Sequence, residues 1–271
     1  MDLGRAGGIR ARGALTAALW LGLGALLGCG GWAPRGPARA ASATPAATPT
    51  LPPLVVVQRP PALEAWDARL SACAPAGPVL LAVEPAVAPR PAAGWALTWG
   101  PPPETATAAY GLGREAWAVV VAAANPVPRI PAAAWGDLWR AADARWDALG
   151  GLEADVVPVV PHPDGPLARA LTAQVGPGWR IHPRARLAPT PAQTVQQVAA
   201  EAAALGLVPR DWVTWARQTR PDLPWDRVRV LPTHAAPRWE ADVVLWTTTS
   251  PPQAAQRWVQ CIQGGQAHLL K

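Results

Sequence analysis

The sequence has no Phe, one Tyr, one Met and one Lys, and only 15% of its residues are charged. Sixteen Trp stand where Phe usually would, and Arg stands in for Lys. We read this usage as codon bias towards G and C, a property of the genome rather than of the function. With 50% hydrophobic residues the chain is too apolar to be disordered, and with 34 Pro it is not a long-helix or coiled-coil protein. The formal charge of +6 is misleading, because Arg5, Arg10, Arg12, Arg35 and Arg39 all precede residue 54. Beyond them Arg is scattered singly, with no stripe to track a phosphate backbone, so no nucleic-acid partner is expected.

Catalytic signatures are missing too. There is no Walker loop, no G-x-S-x-G elbow and no H-E-x-x-H pair. His162, His182, His234 and His268 have no i, i+4 partner, so no metal site is expected. Acidic residues come singly; Asp143 and Asp147, the closest helical pair, flank Arg145 and Trp146 and read as solvated or capping groups. Neither an enzyme nor a cofactor is asked for. Of three Cys, Cys73 and Cys261 could pair in an oxidising compartment, but two small buried thiols are the plainer expectation.

What is present begins with a basic start and an apolar run of 15 residues, Gly13 to Leu27, ending at Gly28-Cys29. That run is short for a membrane-spanning helix and fits a signal-peptide core. Leu26-Leu27-Gly28-Cys29 resembles the bacterial lipobox, which implies cleavage and lipidation at Cys29. Leu27 is unusual two places before the Cys, so a plain secretory signal or an uncleaved anchor are the alternatives. Residues 30–53 form an Ala/Pro/Thr/Gly tether without apolar periodicity.

The body alternates short β-branched runs with helical spacings, the pattern of an α/β fold. Strands are expected at 54–57, 79–83, 95–99, 117–122, 156–160, 228–231 and 243–248. Leu63, Trp66, Leu70 and Cys73 share one face of a first helix. A second helix, 131–144, carries Ala134, Leu138 and Ala141 on one stripe, with Trp135 and Trp139 beside it. Thr190-Pro191-Ala192-Gln193 reads as an N-cap, a Pro at the first helical position and a capping-box Gln, opening a helix to about Ala204. A last helix, 252–263, is expected to stop at Gly264-Gly265.

From Leu112 to Gly151 the chain resembles the phosphate-binding-protein-like branch of the periplasmic substrate-binding proteins of ABC importers. Asn125-Pro126 matches the end of that family's hinge strand. Arg145-Trp146-Asp147-Ala148-Leu149-Gly150-Gly151 matches its N-W-S-x-x-G-G turn. Arg186 to Pro209, with Leu205-Gly206-Leu207, is similar to the capped helix leading into an A-I-G-Y strand. Gly265-Gln266-Ala267 matches the S-P-E-G-Q-A ending.

The resemblance implies a type II periplasmic-binding-protein-like fold: two α/β lobes, two hinge strands near 117–122 and 243–248, and a ligand cleft. The expected organisation is a signal peptide at 1–28, a tether at 29–53, a first lobe of 54–116 plus 247–271, and a second lobe of 117–246. It further implies a monomer anchored outside the cytoplasm through Cys29, carrying a small anionic solute, phosphate or another oxyanion, to ABC permease subunits.

Ligands of such lobes lie at the carboxyl ends of strands and at helix N-termini. The cleft candidates are therefore Gln58, Arg59, Thr98, Trp99, Gly100, Gly165, Arg169 and Thr190. Two loops depart from the family. Gln58-Arg59-Pro60-Pro61 replaces a G-S-x-T loop with residues that lack hydroxyls. His162 to Arg169 replaces an S-G-T-R loop and puts Asp164 where Ser is expected, which disfavours inorganic phosphate. A scaffold that has lost its ligand loops and acts as a sensor or interaction lipoprotein is the alternative.

Overall fold

A computed structural model describes residues 51–269 apart from 87–88, 90, 92–93, 141–142, 164, 176–181 and 233–238. The signal peptide, Cys29, most of the tether, Asp164 and His234 lie outside the described residues. No described helix is long and apolar enough to cross a membrane.

The first strand, β1 (Leu54–Arg59), leads through a 3-10 turn at Pro61–Trp66 into α1 (Asp67–Cys73). Pro60 and Pro61 preset this turn, and Leu63, Trp66, Leu70 and Cys73 are all buried, as their spacing requires. Next come β2 (Leu80–Pro85) and β3 (Trp95–Trp99), both parallel to β1. All five residues of β3 are buried, so it reads as a continuous apolar run.

The long strand β4 (Ala108–Ala122) carries the chain from one sheet to the other. Its first half, to Ala116, pairs with β9 (Glu240–Thr247), which pairs in turn with β3. From Trp117 onward it pairs with β7 (Ala204–Pro209) and β8 (Val228–Val230). The second sheet continues from β7 to β5 (Val157–Val160) and β6 (Arg186–Leu187), all parallel. Around it lie α2 (Ala132–Arg140), α3 (Pro166–Val175), α4 (Pro191–Ala200) and α5 (Arg210–Thr219), and α6 (Gln253–Leu269) returns to the first sheet.

Several expectations need correction. Residues 240–246, assigned to the second lobe with a hinge at 243–248, pair throughout with first-sheet strands. The β-branched run marks a buried central strand of the first sheet. The last helix runs through Gly264-Gly265 to Leu269, because an isolated Gly pair weakens a helix without ending it. The capped helix ends at Ala200, four residues short of the expected end. In α2 Leu138 is buried as expected, but its neighbours on the buried face are Trp135 and Trp139, whose larger side chains bury more apolar area than Ala134; Ala141 lies outside the described residues. Finally, Cys73 and Cys261 form a disulfide, with Cα atoms 5.6 Å apart, rather than two thiols. It staples α1 to α6, where Trp258 Nε1 also donates to the Leu70 carbonyl at 2.9 Å.

The two motifs that carried the resemblance pack against each other in the second lobe. Asn125 is fully buried, and its side-chain oxygen accepts from the Val127 amide at 3.1 Å. A Cβ on Gly151 would sit 2.9 Å from that same oxygen, so the turn closes only with Gly there. Trp146, also fully buried, donates to the Ala203 carbonyl at 2.8 Å and ties the turn to the entry of β7. These residues build the lobe rather than touch a ligand.

Candidate ligand-binding cleft

The carboxyl end of β3, the start of β9 and helix α3 converge on a cavity of about 430 Å³. The first sheet contributes Trp99, Gly100, Pro101 and Glu240 to Asp242. The second lobe contributes Leu207 and, from the first turns of α3, Leu167, Arg169, Ala170 and Leu171. Trp117, within β4, and Trp239, just before β9, close the back, where the Trp117 amide donates to the Trp239 carbonyl at 2.9 Å. Trp99 and Trp117 rings lie 5.0 Å apart, and Trp239 is held edge-on by Trp135 at 4.4 Å. The indoles are thus fixed by packing before any ligand arrives. A second cavity of about 530 Å³, lined by Pro89, Pro91, Pro103 and Trp246, shares Pro101 and Arg169 with the first.

Of the eight candidate residues, Trp99, Gly100 and Arg169 line the first cavity, and Thr98 and Arg169 the second. Gly165 is buried at the entry to α3, but its amide donates to the His162 carbonyl at 2.9 Å. The Gly100 amide likewise donates to the Asp242 carbonyl at 2.9 Å. Gln58, Arg59 and Thr190 line neither cavity. Arg59 is buried and bound through Nε and Nη2 to the Asp67 carboxylate, each at 2.6 Å. Thr190 forms a complete capping box with Gln193. Among the described residues Arg169, exposed on α3, has no ion-pair or hydrogen-bond partner for its side chain.

At the mouth two carboxylates share one guanidinium. Arg114 pairs with Asp242 at 3.2 Å and Glu240 at 3.9 Å. Among the described residues of the wall, the Arg169 guanidinium is the charge without a partner, set among mainly apolar side chains. Sequence reasoning missed Trp239, Leu171 and Leu207. Trp239 precedes a strand that looked buried from Val243 only, and the other two were indistinguishable from core.

The lobes also meet away from the cavity. Glu115, 1% exposed on β4, accepts from Trp66 Nε1 of the first lobe and from the Asp211 amide at the start of α5, both at 3.0 Å. Burial pushes its pKa up to about 7, aided by the nearby Asp211 carboxylate and opposed by the Trp66 hydrogen bond and Arg69. Arg69 stacks on Trp66 at 4.5 Å and reaches Asp211 at 3.5 Å.

No family model matches the sequence, and neither does any curated protein. Solved structures do. An ABC-type phosphate transport receptor from Vibrio cholerae is 13% identical, with a TM-score of 0.56 over 80% of this chain and 96% of that one. A Clostridium perfringens structure described as a putative phosphate ABC transporter substrate-binding protein with bound phosphate is 12% identical, with a TM-score of 0.61 over 79% and 95%.

The chain has the two-lobe periplasmic-binding-protein-like fold. That fold also serves elsewhere: a hydrogen peroxide-bound mutant of Corynebacterium glutamicum OxyR is 15% identical, with a TM-score of 0.53 over 82% of this chain and 68% of that one. Within the fold, the cavity described above lies at strand carboxyl ends, where open α/β sheets take their ligands.

Proposed function

We propose that this chain is an extracytoplasmic solute receptor, lipid-anchored through Cys29, that captures a small anion between its lobes and presents it to ABC permease subunits. The observation that carries this reading is the cavity at the end of β3 and along α3, with an unpaired Arg169 on its wall. Likeness in fold to phosphate receptors supports the same reading. The Cys73–Cys261 disulfide favours an oxidising compartment.

Capture requires only that the closed state bind the anion better than the open one, so the chain needs no catalytic residue and no cofactor. Arg169 supplies the charge and the three indoles fix the floor. Transport energy belongs to the partner subunits, and the receptor works as a monomer. In a thermal-shift titration with phosphate, sulfate and simple carboxylates and sulfonates, at least one anion raises the Tm saturably, and Arg169→Gln abolishes the rise. No shift with any anion would contradict the reading.

The second reading, a scaffold acting as a sensor or interaction lipoprotein, is favoured by the occupied Gly100 and Gly165 amides, which leave few donors for an inorganic oxyanion. An anion that closes the lobes would sink it.

A further inference from the structure

Resting on the receptor reading, we propose that the ligand is an organic anion with a flat apolar body and a single anionic group, rather than an inorganic oxyanion. The donor inventory decides the polar half. The amides of Gly100 and Gly165 are spent on Asp242 and His162, and Arg59 is spent on Asp67. A compact multiply charged anion is stable off water only when several donors surround it. Among the described residues this wall offers one unpaired guanidinium, Arg169, enough for one carboxylate, sulfonate or phosphoester group.

The acidic side of the mouth points the same way. Glu240 and Asp242 line the cavity and share a single Arg114. Their side chains are 48% and 65% exposed, so their repulsion is softened but still works against a second negative charge on the ligand.

The apolar half follows from the indoles. Trp99, Trp117 and Trp239 meet in one cavity, each at most 7% exposed and held by ring contacts. At about 430 Å³ the space lies within the range of organic-ligand pockets. Inorganic phosphate would leave most of that wall uncovered. A flat organic body covers more of this apolar lining than a compact inorganic anion and releases more water.

The test is calorimetric titration of the mature chain with naphthalene-2-sulfonate and, separately, inorganic phosphate. The expected result is one-to-one binding of the sulfonate, unaffected by millimolar phosphate. It should be weakened about tenfold or more in Arg169→Gln and in Trp239→Ala, whose folding is checked by circular dichroism and Tm. Because Arg169 is exposed and unpaired, its replacement leaves the fold intact. Equal sulfonate affinity in wild type and Arg169→Gln would overturn the proposal as mere apolar adsorption. Absence of sulfonate binding would overturn it, and phosphate binding in its place would leave the receptor reading standing; the receptor reading itself falls only if no anion of the thermal-shift panel binds either.

Discussion

Thr190 and Arg59 show how a side chain suited to an anion can be consumed by its own neighbourhood. The Thr190 hydroxyl accepts from the Gln193 amide, and the Gln193 side chain accepts in return from the Thr190 amide. Thr190→Ala should therefore cost about 1 kcal/mol of stability in urea unfolding and leave anion affinity unchanged. A loss of affinity without a loss of stability would put the hydroxyl back in the cleft. Arg59 holds a bidentate pair with Asp67, whose side chain is 35% exposed, so solvent softens the cost of breaking it. Arg59→Met should destabilise by about 2 kcal/mol, again with ligand binding intact. The cap was legible because all its parts lie within four residues. Arg59's partner lies eight residues on, across a turn whose geometry the sequence does not spell out.

At the scale of elements, Glu115 couples the lobes. Its pKa in the folded chain, about 7, stands above its ordinary value of 4.5, so the folded state keeps a proton that the unfolded state releases. The resulting stabilisation is complete below pH 4.5 and is lost as pH rises through 7. The loss is on the order of 3 kcal/mol. Urea unfolding between about pH 5 and 8 should show this decline in wild type and a flatter profile in Glu115→Gln. Parallel profiles would mean that Glu115 keeps its ordinary pKa.

Reduction of the Cys73–Cys261 bridge, which spans 188 residues, should lower stability by about 4 kcal/mol and lower the Tm. In β7, a Cβ on Gly206 would meet Thr194 Cγ2 at 2.5 Å, so Gly206→Ala should cost about 1–3 kcal/mol by forcing α4 off the sheet.

Strands built from apolar runs were legible, β3 (Trp95–Trp99) to the residue. The first half of β4, Ala108–Ala116, was not, because Gly111, Gly113, Arg114 and Glu115 break its apolar pattern at a bulge and at the buried carboxylate. Helix α5 escaped notice because Trp212, Val213 and Ala216 make a narrow stripe among charged residues.

The whole molecule was readable through motifs that turned out to be architectural. Asn125, Trp146 and Gly151 lock one another inside the second lobe, which is why they signalled the fold so well and the ligand so poorly. The described cleft walls come from five separate places in the sequence, at Trp99–Pro101, Trp117, α3, Leu207 and Trp239–Asp242, and only folding brings them together. Local pattern cannot announce such a site.

The central claim is that two lobes close on an anion held by Arg169. Small-angle X-ray scattering of the mature chain, alone and with saturating naphthalene-2-sulfonate, phosphate or sulfate, measures it directly. The expected result is a smaller radius of gyration with at least one of these anions and no contraction in Arg169→Gln. An unchanged radius with all three, at concentrations where any binding would be saturated, would contradict it.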